Sequence, residues 1–261
     1  MRLLRLALLG LAALVAAAFA LGLWSEGQRG PKRAATPQEV AARRRAIERT
    51  VAAPSDYSDF FARLHSGFPV EYDAFLARAA QQAATRGRDD DLDVLAIEAA
   101  RGLRRSHGVL AARADGPTLD RYFAARAAML HELSTADPAA CVDFLYGGGR
   151  MDPAAFSRTR RALVAALVLS GLEAVQDGGQ RDETRGRPTE DDFRSLENAL
   201  RAQGVSNAAI AALLDGRMTE PPIADAELCE AGDVYLRTLA ALPEPARRRI
   251  YGFAVELMAR S

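Results

Sequence analysis

From Pro54 onward, apolar residues recur at helical spacing. Tyr57, Phe60, Phe61 and Leu64 fall at i, i+3, i+4 and i+7, one face of a helix. Phe68, Tyr72, Phe75, Leu76 and Ala79 continue the pattern after Gly67-Phe68-Pro69, and Leu92, Leu95, Ala96, Ala99 and Leu103 form another stripe. Leu119, Tyr122, Phe123, Leu130 and Leu133 follow the turn Asp115-Gly116-Pro117. Asp137-Pro138 and Asp152-Pro153 each set a capping residue before a first-turn proline. The helix from Pro153 carries Phe156, Leu163, Leu167 and Val175 and reads as one long element. Thr189 caps a helix to about Gln203, Ser206 a short one to Leu214, and two last helices cover Ala224 to Leu242 and Pro245 to Arg260. No stretch alternates with period two, so the pattern predicts an all-α fold, an irregular multi-helix bundle.

The N-terminus follows a different pattern. Arg2 and Arg5 precede an uncharged apolar run of 19 residues, Leu6 to Trp24. As a helix it would span about 28 Å, close to a bilayer core of about 30 Å. Trp24 at its end suits the interface. A run with no polar face predicts a membrane-spanning signal-anchor. The alternative is a cleaved signal peptide, for which Ala18-Phe19-Ala20 offers the small residues that a signal peptidase reads. A charged n-region before an apolar stretch is the ordinary export signal, so the main domain is expected outside the cytoplasm, on a single-pass inner-membrane protein.

These patterns predict residues 1–5 as a short cytoplasmic n-region, 6–24 as the anchor and 25–53 as a linker and stalk helix. Residues 54–261 form the extracytoplasmic helical domain, with an exposed loop at 178–188. The linker Ser25 to Ala35 is polar, with two glycines and a proline. Thr36, Pro37 and Glu39 form a capping box, and Val40, Ile47 and Val51 give the following helix only a narrow apolar stripe, which suits a solvated stalk or a lightly packed first helix. Gly178 to Pro188 is the longest polar stretch in the folded part.

Composition narrows the function classes. The 261 residues carry 34 basic and 34 acidic side chains. Five of the basic and one of the acidic residues precede Ala34, which leaves 29 against 33 beyond it. That balance gives no basic footprint for nucleic acid, and none is expected as a partner. Only Lys32 among the basic residues is a lysine, and alanine is abundant, a coding bias that gives arginine no special weight here.

No chemical constellation stands out. His131-Glu132 begins like H-E-x-x-H, but residue 135 is Thr. His65 and His107 share no face with another histidine at i, i+4. Asp89 to Asp93 lacks the glycine and glutamate of a calcium loop, with Val94 and Ala100 in their places, and reads as an acidic helix start. Gly147-Gly148-Gly149 lacks the lysine of a phosphate loop and reads as a helix C-cap and joint. Gln203 to Ile210 looks like a helix-turn-helix corner, yet its second helix offers only Asn207 to a base. No catalytic residue, cofactor or metal is expected.

Cys141 and Cys229, 88 residues apart, are the only cysteines. In an oxidising compartment two cysteines favour one disulfide. The expectation is therefore a membrane-anchored, extracytoplasmic interaction or assembly-accessory protein with an envelope protein partner. The alternatives are an envelope enzyme whose residues converge only in the fold, with Glu71, Asp73 and Glu98 as available carboxylates, and a cytoplasm-facing regulator.

Overall fold

The computed structural model describes residues 34–87, 91–147, 152–181, 186–216 and 220–260. The proposed span Leu6 to Trp24 lies outside the described residues, as do Asp89, Asp90, Gly148 and Gly149.

Local sequence signals set most of the helix starts. The first helix, α1 (Pro37–Ala52), opens on a closed capping box in which the Glu39 amide donates to Thr36 Oγ1 at 3.2 Å and the Thr36 amide to Glu39 Oε2 at 2.7 Å. Helices α2 (Ser58–Gly67) and α3 (Pro69–Arg86) follow, and α3 ends on Gly87 at φ +61°, a left-handed position that suits glycine. Asp91 caps α4 (Leu92–His107), which tightens into a 3₁₀ turn at Gly108–Arg113. Asp115 caps α5 (Gly116–Ala136), Asp137 caps α6 (Pro138–Leu145) and Asp152 caps α7 (Pro153–Arg158). The remaining helices are α8 (Arg161–Gly179), α9 (Glu190–Ala202), α10 (Asn207–Asp215), α11 (Asp225–Ala241) and α12 (Glu244–Arg260). Thr189 and Asp192 close a second capping box at α9, and Ser206 caps α10. Among the described residues there is no strand, so the fold is all-α.

The central element is α8. It packs on α2, α4, α5 and the 3₁₀ turn, burying Val164, Val168, Leu172 and Val175. Among the described residues it is the one helix long and apolar enough to cross a membrane, and here it forms the middle of the core. Helix α12 crosses the 3₁₀ turn and α5, where Tyr251 stacks on Phe123 with centroids 3.7 Å apart. One contiguous apolar cluster runs from Ile47 to Val255.

Of the two readings of α1, the packed one fits the structure: Ile47 and Val51, four residues apart, enter the core and the helix lies along α3. Two expectations change. The long helix expected from Pro153 is two, broken at Thr159-Arg160, where the Arg160 amide donates to the Ser157 carbonyl at i−3 and a new helix starts at Arg161. The polar stretch from Gly178 is not all an exposed loop. Gly178 is a buried helical residue against the 3₁₀ turn, because only a missing side chain lets α8 approach the Leu110 carbonyl.

Ion pairs tie separate helices together, two of them on a buried carboxylate, Asp93 and Asp192. Asp93, 1% exposed, accepts from Arg161 Nε at 2.8 Å, from Arg161 Nη2 at 2.9 Å and from the Tyr57 hydroxyl at 2.9 Å. Burial alone would raise the Asp93 carboxyl; the Arg161 and Tyr57 hydrogen bonds outweigh it and hold the group below its ordinary value. Asp192 accepts from Arg249 Nη2 at 2.6 Å and Nε at 2.8 Å, joining α9 to α12. Arg181 bridges Asp177 at 3.1 Å and Asp115 at 3.0 Å, closing the C-terminal end of α8 against the start of α5.

Candidate functional site: an apolar cavity with an arginine and tyrosine lining

A cavity of about 780 Å³ lies between α8, α4, α5 and α12, within the range of roughly 300–1,000 Å³ of small-molecule sites. Helical periodicity builds its walls. Leu167, Val168, Gly171 and Leu172 present one face of α8, and Phe253, Ala254, Leu257 and Met258 one face of α12. At Gly171, α8 passes the Tyr122 ring of α5 at a distance where a Cβ would make an ordinary 3.4 Å contact. Phe144, Phe156 and Phe193 add aromatic surface.

The polar side chains that line this volume are of two kinds. Arg101 and Arg104 lie on α4, Tyr122 and Arg126 on α5, Tyr146 beyond α6 and Tyr235 on α11. Among the described residues no aspartate, glutamate, histidine or serine lines it. Ile97, Arg101 and Arg104 fall at i, i+4 and i+7, so the arginines continue an apolar face of α4. Arg126 stacks over the Phe144 ring at 4.9 Å and reaches the Tyr122 ring at 6.0 Å. No carboxylate among the described residues lies within ion-pair distance of Arg104 or Arg126.

Electrostatics mark the same place. Arg104 is accessible to solvent, yet the protein around it desolvates the guanidinium, which with the like charges of Arg101, Arg126 and Arg105 holds it below its ordinary value. Both facts hold together for a side chain that projects into a concavity. Burial pushes the Tyr235 hydroxyl up to about 12, while nearby Arg126 opposes that shift. Arg104 and Arg126, with no carboxylate among the described residues facing them in an apolar wall, are unfavourable in the empty protein and favour an anion.

The residues singled out in the sequence lie elsewhere. Glu71 accepts from His107 Nε2 at 2.7 Å, which holds its carboxyl below the ordinary value. Asp73 pairs with Arg44 at 2.7 Å, and Glu98 lies on α4; none of the three lines the cavity. His65 packs against Tyr72 with tilted rings 4.6 Å apart, and His131 sits 3.5 Å from Asp233. Among the described residues no group of three His, Cys, Asp or Glu side chains is placed to hold a metal. Cys141 on α6 and Cys229 on α11 are buried with their Cα atoms 5.8 Å apart and their sulfurs facing each other.

Sequence reasoning passed over the lining arginines because a coding bias explained their abundance. The signal available was the row Ile97, Arg101, Arg104, in which charge continues an apolar face. Comparison with protein-family models, with curated proteins and with solved structures returns no match.

Proposed function

We propose that the protein is a helical binding protein of the cell envelope that takes a long apolar chain into the cavity between α4, α5, α8 and α12. In this reading Leu6 to Trp24 tethers it to the inner membrane, and the helical body stands outside the cytoplasm. The tether fits the cavity, since ligands with a long apolar chain concentrate in bilayers. The observation that carries the reading is the cavity itself, about 780 Å³, with walls of aliphatic and aromatic side chains. Its arginine and tyrosine lining supplies donors for holding a ligand, and among the described residues no carboxylate, histidine or serine there for acid–base or nucleophilic work, which favours binding over an envelope enzyme.

An envelope protein partner, as a docking surface or assembly accessory, is the second reading. The large exposed apolar side chains Val70, Val109, Tyr146 and Leu257 favour it. Tyr146 and Leu257 belong to the cavity lining, Val70 and Val109 stand on different elements, and single exposed apolar residues are ordinary on a protein surface. The cavity therefore carries the conclusion.

The test uses the full chain in its own membranes and a photoactivatable, diazirine-bearing hexadecanoic acid. Crosslinked peptides should map to the lining faces of α8 and α12. The variant Ala254→Trp fills the cavity from α12 and should abolish that labelling while the thermal midpoint holds. Labelling confined to Leu6 to Trp24, or equal labelling in A254W, would refute the reading.

A further inference from the structure

We infer that the cavity selects a single-chain amphiphile with a compact anionic head, a carboxylate or a phosphate, held by Arg104 and Arg126 with the Tyr122 and Tyr235 hydroxyls beside it. This rests on the binding reading above and names the chemistry of the ligand.

Charge complementarity is the first argument. Arg104 and Arg126 line an otherwise apolar cavity, and no carboxylate among the described residues faces them there. A guanidinium presents parallel N–H donors that match two oxygens of a carboxylate or phosphate, and such charge-assisted hydrogen bonds are the strong ones. Arg126 is preorganised: stacked over Phe144, it gives up little side-chain freedom on binding. The second argument is the hydroxyls. Tyr235 faces the same space, near enough to Arg126 to feel its charge, and a phenol donates to an oxyanion. The third is the wall. Val168, Leu172, Ile250, Ala254 and Met258 line the remaining volume, a surface for an alkyl chain and not for a sugar or a nucleotide.

Stability gives an independent signature. The arginines repel one another and Arg104 is partly desolvated, so the cluster destabilises the empty protein. A neutral residue of similar reach at position 104 should raise the stability of the empty form and weaken binding. Stabilising changes that cost function are characteristic of sites kept for a ligand.

The experiment compares four diazirine probes on the full chain in native membranes: hexadecanoic acid, its methyl ester, hexadecanol and a single-chain lysophosphatidate. Labelling of the lining peptides should be about tenfold or more stronger with an anionic probe than with either neutral one. Arg104→Met and Arg126→Met should each cut anionic labelling by a similar factor and neutral labelling far less. Stronger labelling by the lysophosphatidate than by the acid supports the anionic head and assigns it to phosphate, and the reverse assigns it to carboxylate. Equal labelling by acid, ester and alcohol overturns the anionic head and leaves the binding reading standing. No cavity labelling by any probe overturns both. The thermal midpoint of R104M without probe should rise; a fall would show Arg104 to be a structural residue and overturn the inference.

Discussion

Replacing Gly178 with alanine should destabilise the protein, against the local rule. Gly178 lies in the last turn of α8, buried on the 3₁₀ turn. In an exposed helix interior, glycine to alanine gains about 1 kcal/mol. Here a Cβ would overlap the carbonyl oxygen of Leu110, come within 2.8 Å of its carbonyl carbon and lie 3.1 Å from the Ala114 amide nitrogen. These are backbone atoms, so no rotamer change relieves the contact; α8 or the 3₁₀ turn must shift. Overpacking of this kind costs roughly 1–3 kcal/mol, more where backbone moves. The net expectation is a loss of about 2 kcal/mol, or roughly 4–8 °C in the thermal midpoint at this chain length. The neighbour supplies the control: at Gly179 a Cβ would meet only the Leu110 Cδ1 atom, at 3.6 Å. Gly179→Ala should therefore be neutral or slightly stabilising. Circular-dichroism melts of the two variants read the difference. A G178A protein as stable as wild type would show that α8 does not rest on the 3₁₀ turn as described.

Further outcomes follow from the ion pairs and the cysteines. Asp93→Ala should cost about 2–3 kcal/mol in urea unfolding, because the Tyr57 hydroxyl is left buried and unpaired while half-exposed Arg161 returns to water, whereas Tyr57→Phe should cost about 1 kcal/mol; equal effects would refute the network. Arg249 chiefly, with the Thr189 amide, holds the Asp192 carboxyl well below its ordinary 3.8, so its contribution is complete above that value and lost as the pH falls further. Asp192→Asn should accordingly be less stable at pH 7 and approach wild type in acid, and a constant difference would contradict the assignment. Alkylation of unreduced, folded protein before mass spectrometry should find Cys141 and Cys229 joined, and reduction should cost about 4–5 kcal/mol for so long a loop; two alkylated thiols would reject the bond. A reporter active only outside the cytoplasm, fused after Ser261, should be active, and activity of a cytoplasm-only reporter would reverse the proposed orientation.

The helices were legible wherever a side chain alone signals a boundary. Thr36 with Glu39, Thr189 with Asp192, Ser206, and the aspartates before Pro138 and Pro153 mark helix starts by chemistry that acts within four residues. The break at Thr159-Arg160 carries neither glycine nor proline, so no local signal shows it. Asp93 reads as one more acidic residue at a helix start, since its burial depends on Tyr57 and Arg161, 36 and 68 residues away in sequence. Gly178 reads as a loop glycine because its reason for being glycine is a contact with Leu110, in an element that reaches it only through the fold. The cavity was hidden for the same reason. Its arginines come from α4 and α5, and in the sequence each is one of many on an amphipathic helix. What separates Arg104 and Arg126 from the other arginines is that they line an apolar cavity in which no carboxylate among the described residues faces them, and that is settled only by where the helices meet.

Native mass spectrometry of the full chain, freed of lipid and then supplied with hexadecanoate, tests the central claim most directly. The account predicts one hexadecanoate bound per chain, retained in wild type and lost in both A254W and the double variant R104M/R126M. Wild-type protein that stays unliganded, or variants that retain the ligand as wild type does, would contradict it.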